Sequence, residues 1–371
     1  MQLETGLKHC TALIVIKHSS LLTLYIKRET LNHYQCSKLQ KAKFGKNMSL
    51  GKTFYQFLWR LPWLNISHKK SIYKTLCTYG IVHDYPFEKE FFGLKYQGNL
   101  NNSIEFSIFY LGAFEKPLLF FLRDTMEHIQ RAQSGTTEYS GCFCDIGANL
   151  GQHSLFMSRF ANQVYAFEPF SKVSQRLLHH INLNNIHNIR LHPVGLSDRS
   201  ENLTFYAPIG RNQGIGSFDS SSLKIGNLAS GKLPLVKGDD YFQEMEIANL
   251  DIVKIDVEGF EKKVLFGMQD VLKIERPIIV FEVSYGNELS FGSVQQLNEA
   301  LPENYQLFTF NTRKPDGRKA RKRGAKAKKT GTYQLIPLID WRASGQDNII
   351  ACPEEKQRIL PMQSTGRITV P

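Results

Sequence analysis

The residues best suited to chemistry form a short turn behind a buried apolar strand. Asp145, Gly147, Asn149 and Gly151 stand where the apolar run that begins at residue 142 gives way to a predicted helix. The glycines permit positive φ and a close ligand approach, and a helix start offers free N–H groups, so the turn suits a nucleotide-like ligand. A dinucleotide fingerprint would need glycine in place of Asn149 and Gln152. The leading Asp145 also favours a cationic ligand over a pyrophosphate.

A second acidic residue ends the next predicted strand. Glu168 closes the apolar run that begins at Asn162, and Pro169 stops the strand. A carboxylate in this place can accept hydrogen bonds from both hydroxyls of a ribose. The pattern that follows predicts an amphipathic helix over residues 171–182 with four inward residues, Val173, Leu177, Leu178 and Ile181.

Three further predicted strands end in polar residues. The turn Ser197-Asp198 is a weak signal, and these side chains could reach an adenine amine. The fourth strand end is the strongest and holds four charged residues, Lys254, Asp256, Glu258 and Glu261. The fifth apolar run carries one acid, Glu282. Because the carboxyl ends of parallel strands meet at one edge of a sheet, we expect these charges to surround a ligand site.

The elements that must position these residues alternate between apolar strands and helical patterns. This order predicts an α/β fold with a doubly wound, mostly parallel, Rossmann-like sheet. Residues 305–310 and 346–352 can add an antiparallel C-terminal hairpin, and an N-terminal α-rich lead-in precedes the sheet. We divide the chain into an extension, 1–47, expected to be poorly ordered or to precede a start at Met48; a lead-in that covers the substrate, 48–140; the main domain, 141–352; and a tail, 353–371.

The order of these motifs resembles the FkbM-type methyltransferases, a branch of the S-adenosylmethionine-dependent class I fold. The resemblance covers roughly residues 141–285 and extends loosely to Cys352. It implies S-adenosyl-L-methionine as cofactor, with the turn 145–151 around its methionine part, Glu168 on its ribose, and residues 254–259 facing the reaction. It also implies O-methylation of a hydroxyl on a sugar, glycan or other small molecule.

A neutral hydroxyl is a poor nucleophile, so this chemistry calls for a base close to the acceptor. The candidates are Asp256 and Glu258, which we favour, and His153. Each has a structural alternative, since Asp256 can bind the cofactor's amino group, Glu258 can cap a helix, and His153 can hydrogen-bond the loop. Lys254 either polarises the acceptor or forms an ion pair with one of the acids.

One segment makes the chain basic. Arg313–Lys329 holds ten Lys or Arg residues against one acid, Asp316, and so supplies +9 of the formal net charge of +12. We interpret this insertion, 313–329, as a disordered, solvated hairpin tip; the alternative is a patch that binds an anionic surface, nucleic acid or glycan. It contains no aromatic residues to stack bases, so nucleic acid is not expected as a partner.

Other features bound the remaining function classes. The six cysteines are scattered and no secretory signal is apparent, so we expect reduced thiols, no metal site and a cytoplasmic protein, with Cys142 and Cys144 facing one side of their strand. The apolar stretch 11–26 is too short to span a bilayer. His179 and His180 are predicted to lie on a helix surface. Two alternatives to a small-molecule or glycan O-methyltransferase stay open. One is an inactive scaffold on the same fold, and the other is an RNA methyltransferase, although the sequence Asp256-Val-Glu-Gly259 replaces the tetrapeptide typical of base-amine methylation.

Overall fold

The computed structural model describes residues 61, 66–78, 85–133, 141–208, 216–218, 227–287, 289–314, 318 and 320–364. The chain divides into two units, Met1–His83 and Asp84–Pro371. The first unit is described mainly by one helix, α1, Ile66–Thr78. The predicted extension, 1–47, lies outside the described residues, as does the part of the tail beyond residue 364.

The second unit carries the elements that matter for function. Its described strands are β1 Pro86–Phe91, β2 Leu94–Asn99, β3 Cys142–Ile146, β4 Gln163–Phe167, β5 Ile189–His192, β6 Gly195–Ser197, β7 Glu201–Pro208, β8 Asn227–Lys237, β9 Ile252–Ile255, β10 Ile278–Tyr285, β11 Tyr305–Phe310, β12 Leu335–Pro337 and β13 Gly345–Pro353. Its described helices are α2 Ser103–Leu111, α3 Lys116–Gln133, α4 Gln152–Met157, α5 Ser171–Leu183, α6 Gly238–Glu244, α7 Glu261–Gly267, α8 Gln269–Glu275, α9 Val294–Glu299 and α10 Arg321–Thr330, with a 3-10 helix at Glu354–Ile359.

One eight-stranded sheet organises this unit. Its strand order is β12-β11-β13-β10-β9-β3-β4-β5. The strands from β10 to β5 are parallel, while β13 runs antiparallel to both β10 and β11. The chain moves outward from β3 in one direction through β4 and β5, and in the other direction through β9 and β10. The predicted doubly wound sheet and its C-terminal hairpin are therefore confirmed.

The sheet is buried on both faces by helices. On β3, Phe143 packs into one apolar cluster together with residues of α3, α4 and α5. Its neighbours Cys142 and Cys144 face the other cluster, which includes residues of α6, α7, α8 and α9. Strands covered on both faces must be apolar throughout, which explains the continuous hydrophobic runs in the sequence. The expectation that the two cysteines share a side is confirmed.

The part of the lead-in that lies in the second unit, residues 85–133, packs directly onto the sheet. The β1–β2 hairpin contacts α5, where Tyr96 stacks on His180 with 4.2 Å between ring centroids. His180 is fully buried and contacts the backbone oxygen of Gln97, so the prediction of a surface histidine was wrong for this residue. Leu178 is 45% exposed, whereas the other three inward residues predicted for this helix are buried. The helix turns Leu178 just beyond the edge of its apolar stripe.

The basic segment is partly helical. Residues 321–330 form α10, between β11 and β12, instead of the disordered tip that the composition suggested. Lysine, arginine and alanine are good helix formers, and Gly331 ends the helix in the left-handed conformation. None of the α10 residues is buried, so the expectation of a solvated segment holds there. Among the helices that the structure describes, none has the length and apolar character needed to cross a membrane.

Candidate active site

The carboxyl ends of β3, β4 and β9 open into one cavity of about 400 Å³. This is the place where the strand order reverses, which is the usual ligand position in doubly wound sheets, and the volume suits a small-molecule site. Seven of the residues predicted for the site line the cavity: Gly147, Asn149, His153, Glu168, Lys254, Asp256 and Glu258. The other four, Asp145, Gly151, Ser197 and Asp198, do not line it.

The two glycines of the turn are required for packing. Gly147 has φ +80°, and a Cβ there would lie 1.9 Å from the backbone oxygen of Asp256. Gly151 has φ +81°, and its Cβ would lie 2.2 Å from Leu177 Cδ1. Thus the loop after β3 contacts the loop after β9 on one side and α5 on the other. The N–H of Gly147 donates to the Phe167 oxygen at 3.0 Å, so it is not free for a ligand.

Asp145 lies beneath the cavity in a fully buried ion pair. Its Oδ1 is 3.3 Å from Lys254 Nζ, and its Oδ2 accepts a hydrogen bond from Ser154 Oγ at 2.6 Å. Lys254 also contacts Asp256 Oδ2 at 3.3 Å. Burial alone would lower the pKa of Lys254, but the carboxylates of Asp256, Asp145 and Glu115 raise it above the ordinary lysine value. Lys254 therefore stays charged and fixes the orientation of Asp256.

Glu168 is a buried residue that lines the cavity. Its Oε1 accepts a hydrogen bond from the N–H of Phe170 at 2.9 Å, and its Oε2 accepts one from the N–H of Asn149 at 3.0 Å. These bonds hold the side chain at the end of β4. Burial raises the pKa of Glu168 to about 7, although both N–H donors oppose the shift.

Ser197 and Asp198 are placed away from the ligand space. Ser197 is fully buried at the end of β6, and Gly267 of α7 lies against it so closely that a Cβ would stand 1.9 Å from its backbone oxygen. Asp198 is exposed and accepts a hydrogen bond from Ser197 Oγ at 3.2 Å. Their neighbours Gly195 and Leu196 line the cavity instead, so this strand offers it an apolar wall.

His153 offers an unused nitrogen to the cavity. The side chain is buried, and its Nε2 has no hydrogen-bond partner. Burial lowers its pKa well below the usual histidine value, and the charge of Lys254 adds to the shift. A neutral imidazole with a free nitrogen can accept a proton, because one ring nitrogen of a neutral histidine carries a lone pair.

Sequence reasoning missed Glu115. This residue precedes α3, lines the cavity, and places its Oε2 3.9 Å from His153 Nε2. Its Oε1 accepts a long hydrogen bond, 3.4 Å, from Asn348 Nδ2. Burial raises its pKa to about 7, and Asp256 adds to the shift. The only local signal for it is a lone acid just before Pro117, which stands in the first turn of an apolar helix.

Gln152 holds the segment of the lead-in that places Glu115 at the cavity. Its amide makes two hydrogen bonds to the backbone of Phe114: Oε1 accepts from the N–H at 2.6 Å and Nε2 donates to the carbonyl at 3.0 Å. Glu115 then turns inward with φ +44°. Gln152, one of the two residues that exclude a dinucleotide fingerprint, thus links the lead-in to the turn 145–151.

Three further acids surround the end of β9. Glu261 caps the loop, since it accepts hydrogen bonds from the N–H groups of Val257 and Gly259 at 3.0 Å. Glu258 and Glu282 line the cavity. Partial loss of solvation in the cavity raises the pKa of Glu258, whose surface is exposed, to about 7 and that of the half-buried Glu282 to about 9, and Asp256 is the largest neighbouring charge in both cases. Within the described ranges, no group of three His, Cys, Asp or Glu side chains is placed to hold a metal ion.

Comparisons with known proteins point to methyltransferases. Residues 145–307 match the family model described as the methyltransferase FkbM domain. A protein named hexuronic acid methyltransferase AglP, from Haloferax volcanii, is 32% identical over 37% of this chain and 53% of its own length. A protein named methyltransferase 1, from Beauveria bassiana, is 27% identical over 34% of this chain and 57% of its own length. The chain thus spans little more than half the length of these two relatives.

Among solved structures, one described as methyltransferase FkbM from Methylobacillus flagellatus aligns with 60% of this chain and 47% of its own. The TM-score is 0.33 and the identity 14%, so nothing about function is drawn from it. By the family match, residues 145–307 of this chain are similar to the methyltransferase FkbM domain.

Proposed function

We propose that this protein is an S-adenosylmethionine-dependent methyltransferase that methylates a hydroxyl group on a sugar, glycan or other small molecule. One observation carries the proposal. Glu168, Asp256 and the unpartnered Nε2 of His153 line a single cavity at the point where the strand order reverses. Such a cavity can hold a nucleoside at one end and an acceptor at the other.

The cavity fits the cofactor. Glu168 would hold the ribose hydroxyls, and Leu196 and Phe170 would contact the adenine from the apolar side. Asp256 would hold the cationic amino group, since Lys254 keeps its carboxylate in a fixed orientation. S-adenosylmethionine, when bound, supplies a methyl group on a sulfonium that a nucleophile attacks in line with the leaving sulfur. Asp145 supports this arrangement from below and is not proposed to touch the cofactor.

The acceptor hydroxyl is proposed to sit between His153 and Glu115. An oxygen about 2.8 Å from both His153 Nε2 and Glu115 Oε2 fits between two atoms that are 3.9 Å apart. His153 would take the proton at Nε2, and the carboxylate of Glu115 would stabilise the imidazolium that results. This assignment moves the base from Asp256, which contacts Lys254, to His153. Glu258 stays a second candidate because it lines the same cavity.

The acceptor class draws support from one relative. The protein named hexuronic acid methyltransferase shares 32% identity with this chain over 137 residues. Five carboxylic acids line the cavity here: Glu115, Glu168, Asp256, Glu258 and Glu282. Carboxylates and hydroxyls form strong charge-assisted hydrogen bonds, so this lining suits a polyol. The proposal includes a cytoplasmic location, supported by the free thiols of Cys142, Cys144 and Cys352.

The test begins with the cofactor. Calorimetric titration of S-adenosylmethionine and S-adenosylhomocysteine is expected to show saturable binding, weakened at least about tenfold in Glu168→Gln because a ribose acceptor is lost. Glu201→Gln, which changes an acid on β7, is the matched control and should bind like the wild type. Transfer of a labelled methyl group to a panel of sugars would then identify the acceptor. Folded wild-type protein that binds neither compound would overturn the proposal.

A further inference from the structure

Helix α10 presents an uncompensated positive surface. Six basic side chains on this helix are exposed: Arg321, Lys322, Arg323, Lys326, Lys328 and Lys329. Arg323 contacts Asn311, whereas the other five form no ion pair with any residue that the structure describes. Like charges this close repel one another, which disfavours the helix in the absence of a counter-charge. The helix nevertheless ends in a well-formed left-handed cap at Gly331.

The C-terminal end of α10 is held beside the cavity. Lys116 Nζ donates a hydrogen bond to the backbone oxygen of Lys329 at 3.2 Å. Gly331 lies against α3, where a Cβ would stand 2.3 Å from a ring atom of Phe120. Lys116 directly follows Glu115, which lines the cavity. The charge of Lys328 is close enough to oppose the rise in the pKa of Glu115. The basic surface therefore begins where the lining of the cavity ends.

We propose that the exposed face of α10 binds the anionic groups of an acidic glycan, whose methylated hydroxyl enters the cavity beside Glu115 and His153. The inference rests on the proposed function for the position of that hydroxyl. It divides recognition between two regions of opposite charge. The acids of the cavity bind hydroxyls, while the lysines of α10 bind carboxylate, sulfate or phosphate groups that the cavity would repel.

The surface fits a glycan better than a membrane or a nucleic acid. Apart from Gly324, Ala325 and Ala327, α10 is made of polar and charged residues, so it has no large apolar side chain to insert into a bilayer. It has no aromatic residue on which a base could stack. Ten helical residues extend about 15 Å, which spans several sugar units of a charged chain. A glycan can also supply both the charge for α10 and the hydroxyl for the cavity.

The experiment measures the binding of a sulfated tetrasaccharide prepared from heparin to the full chain in the presence of S-adenosylhomocysteine. At about 150 mM salt, where the Debye length is about 8 Å, we expect saturable binding. Replacing Lys322, Lys326, Lys328 and Lys329 together by Gln is expected to weaken it at least about tenfold. The matched control removes four other exposed charges by replacing Lys95, Arg190, Lys232 and Lys273 by Gln, and should weaken it less than about threefold.

A second readout reports on the cavity. In protein labelled with carbon-13 at histidine, the His153 signal, assigned with His153→Asn, should shift when the tetrasaccharide binds the wild type. Uncharged maltotetraose at the same concentration should leave it unchanged. Equal binding by the α10 variant, binding without a shift at His153, or a preference for phosphatidylserine vesicles or oligouridine would each overturn the glycan proposal. Because S-adenosylhomocysteine binding is measured in parallel, its absence would identify a failure of the proposed function instead.

Discussion

At the scale of single residues, the site depends on the protonation of buried groups. His153 has a pKa well below that of an exposed histidine because it is buried and close to Lys254. The imidazole is therefore neutral and ready to accept a proton across the ordinary pH range. Glu115 and Glu168, in contrast, have pKa values raised to about 7 by burial. Small changes of pH near neutrality thus change the acids of the site but leave the proposed base unchanged.

The first prediction concerns His153. His153→Ala is expected to lower kcat for methyl transfer by about 10²- to 10⁴-fold, the usual contribution of a general base, with little change in S-adenosylhomocysteine affinity. Since its pKa is low, the wild-type rate should not fall between pH 7 and 6 through protonation of this residue. Steady-state kinetics with the acceptor found by the screen would measure both effects. Glu258→Gln is the comparison, because a larger loss there would assign the base to Glu258.

The second prediction concerns Glu168. An ionised carboxylate can accept hydrogen bonds from two ribose hydroxyls. In the protonated form one oxygen carries a hydrogen and acts as a donor instead. With a pKa of about 7, the ionised fraction rises about tenfold between pH 6 and 8. The affinity for S-adenosylhomocysteine should rise by up to the same factor over that range, measured by calorimetry. Glu168→Gln should flatten the profile; a variant that keeps the wild-type slope would assign the titration to another group.

At the scale of elements, Gln152 links the lead-in to the turn 145–151 through its hydrogen bonds to Phe114. The third prediction is that Gln152→Leu destabilises the protein by about 2 kcal/mol, because the N–H and carbonyl of Phe114 lose their partners. Gln269 provides a matched control, since its Nε2 also makes two hydrogen bonds, to Leu265 and Ala300. Urea unfolding should show comparable losses for the two variants. Only Gln152→Leu should also reduce methyl transfer, because it releases Glu115; equal activity in both would refute this role.

The sequence identified local elements better than long-range contacts. Strands such as β3 and β9 are continuous apolar runs that end in polar turns, and this pattern is visible in a short window. The same reasoning placed Glu168 and Asp256 at the sheet edge. The sequence pattern did not show that Asp145 forms an ion pair with Lys254, or that Glu115 lines the cavity. Both contacts depend on which distant segments pack together.

At the scale of the whole molecule, the doubly wound, mostly parallel sheet could be predicted from the alternation of strands and helices. The role of the lead-in as a wall of the cavity was expected only in outline, and four of its residues line the cavity: Ser103, Ile104, Phe114 and Glu115. The helical form of α10 was missed because the charge of the segment suggested a solvated loop. Its lysine and alanine content favours a helix once Gly331 packs on α3.

The concentration of acids in one cavity has a consequence for the stability of the entire fold. Glu282 has a pKa of about 9 because it is half-buried and lies near Asp256, Glu115 and Glu258. In the unfolded chain a glutamate titrates near 4.3. Between these values the folded state binds more protons than the unfolded state, so the free energy of unfolding falls as the pH rises. In the ligand-free protein, the contribution of Glu282 to the free energy of unfolding is therefore fully present below about pH 4.3 and is lost as the pH rises towards about 9.

The fourth prediction is that the melting temperature of the ligand-free protein falls by at least about 3 °C between pH 7 and 9, the shift that a loss of about 1 kcal/mol produces in a domain of this size. Glu282→Gln should remove most of this fall, because a neutral amide keeps the hydrogen-bonding shape without a titrating proton. Other groups that titrate in this range, including the buried cysteines, are shared by both proteins and cancel in the difference. Scanning calorimetry at matched ionic strength measures it, and parallel profiles for the two proteins would show that Glu282 ionises as freely in the folded state as in the unfolded chain.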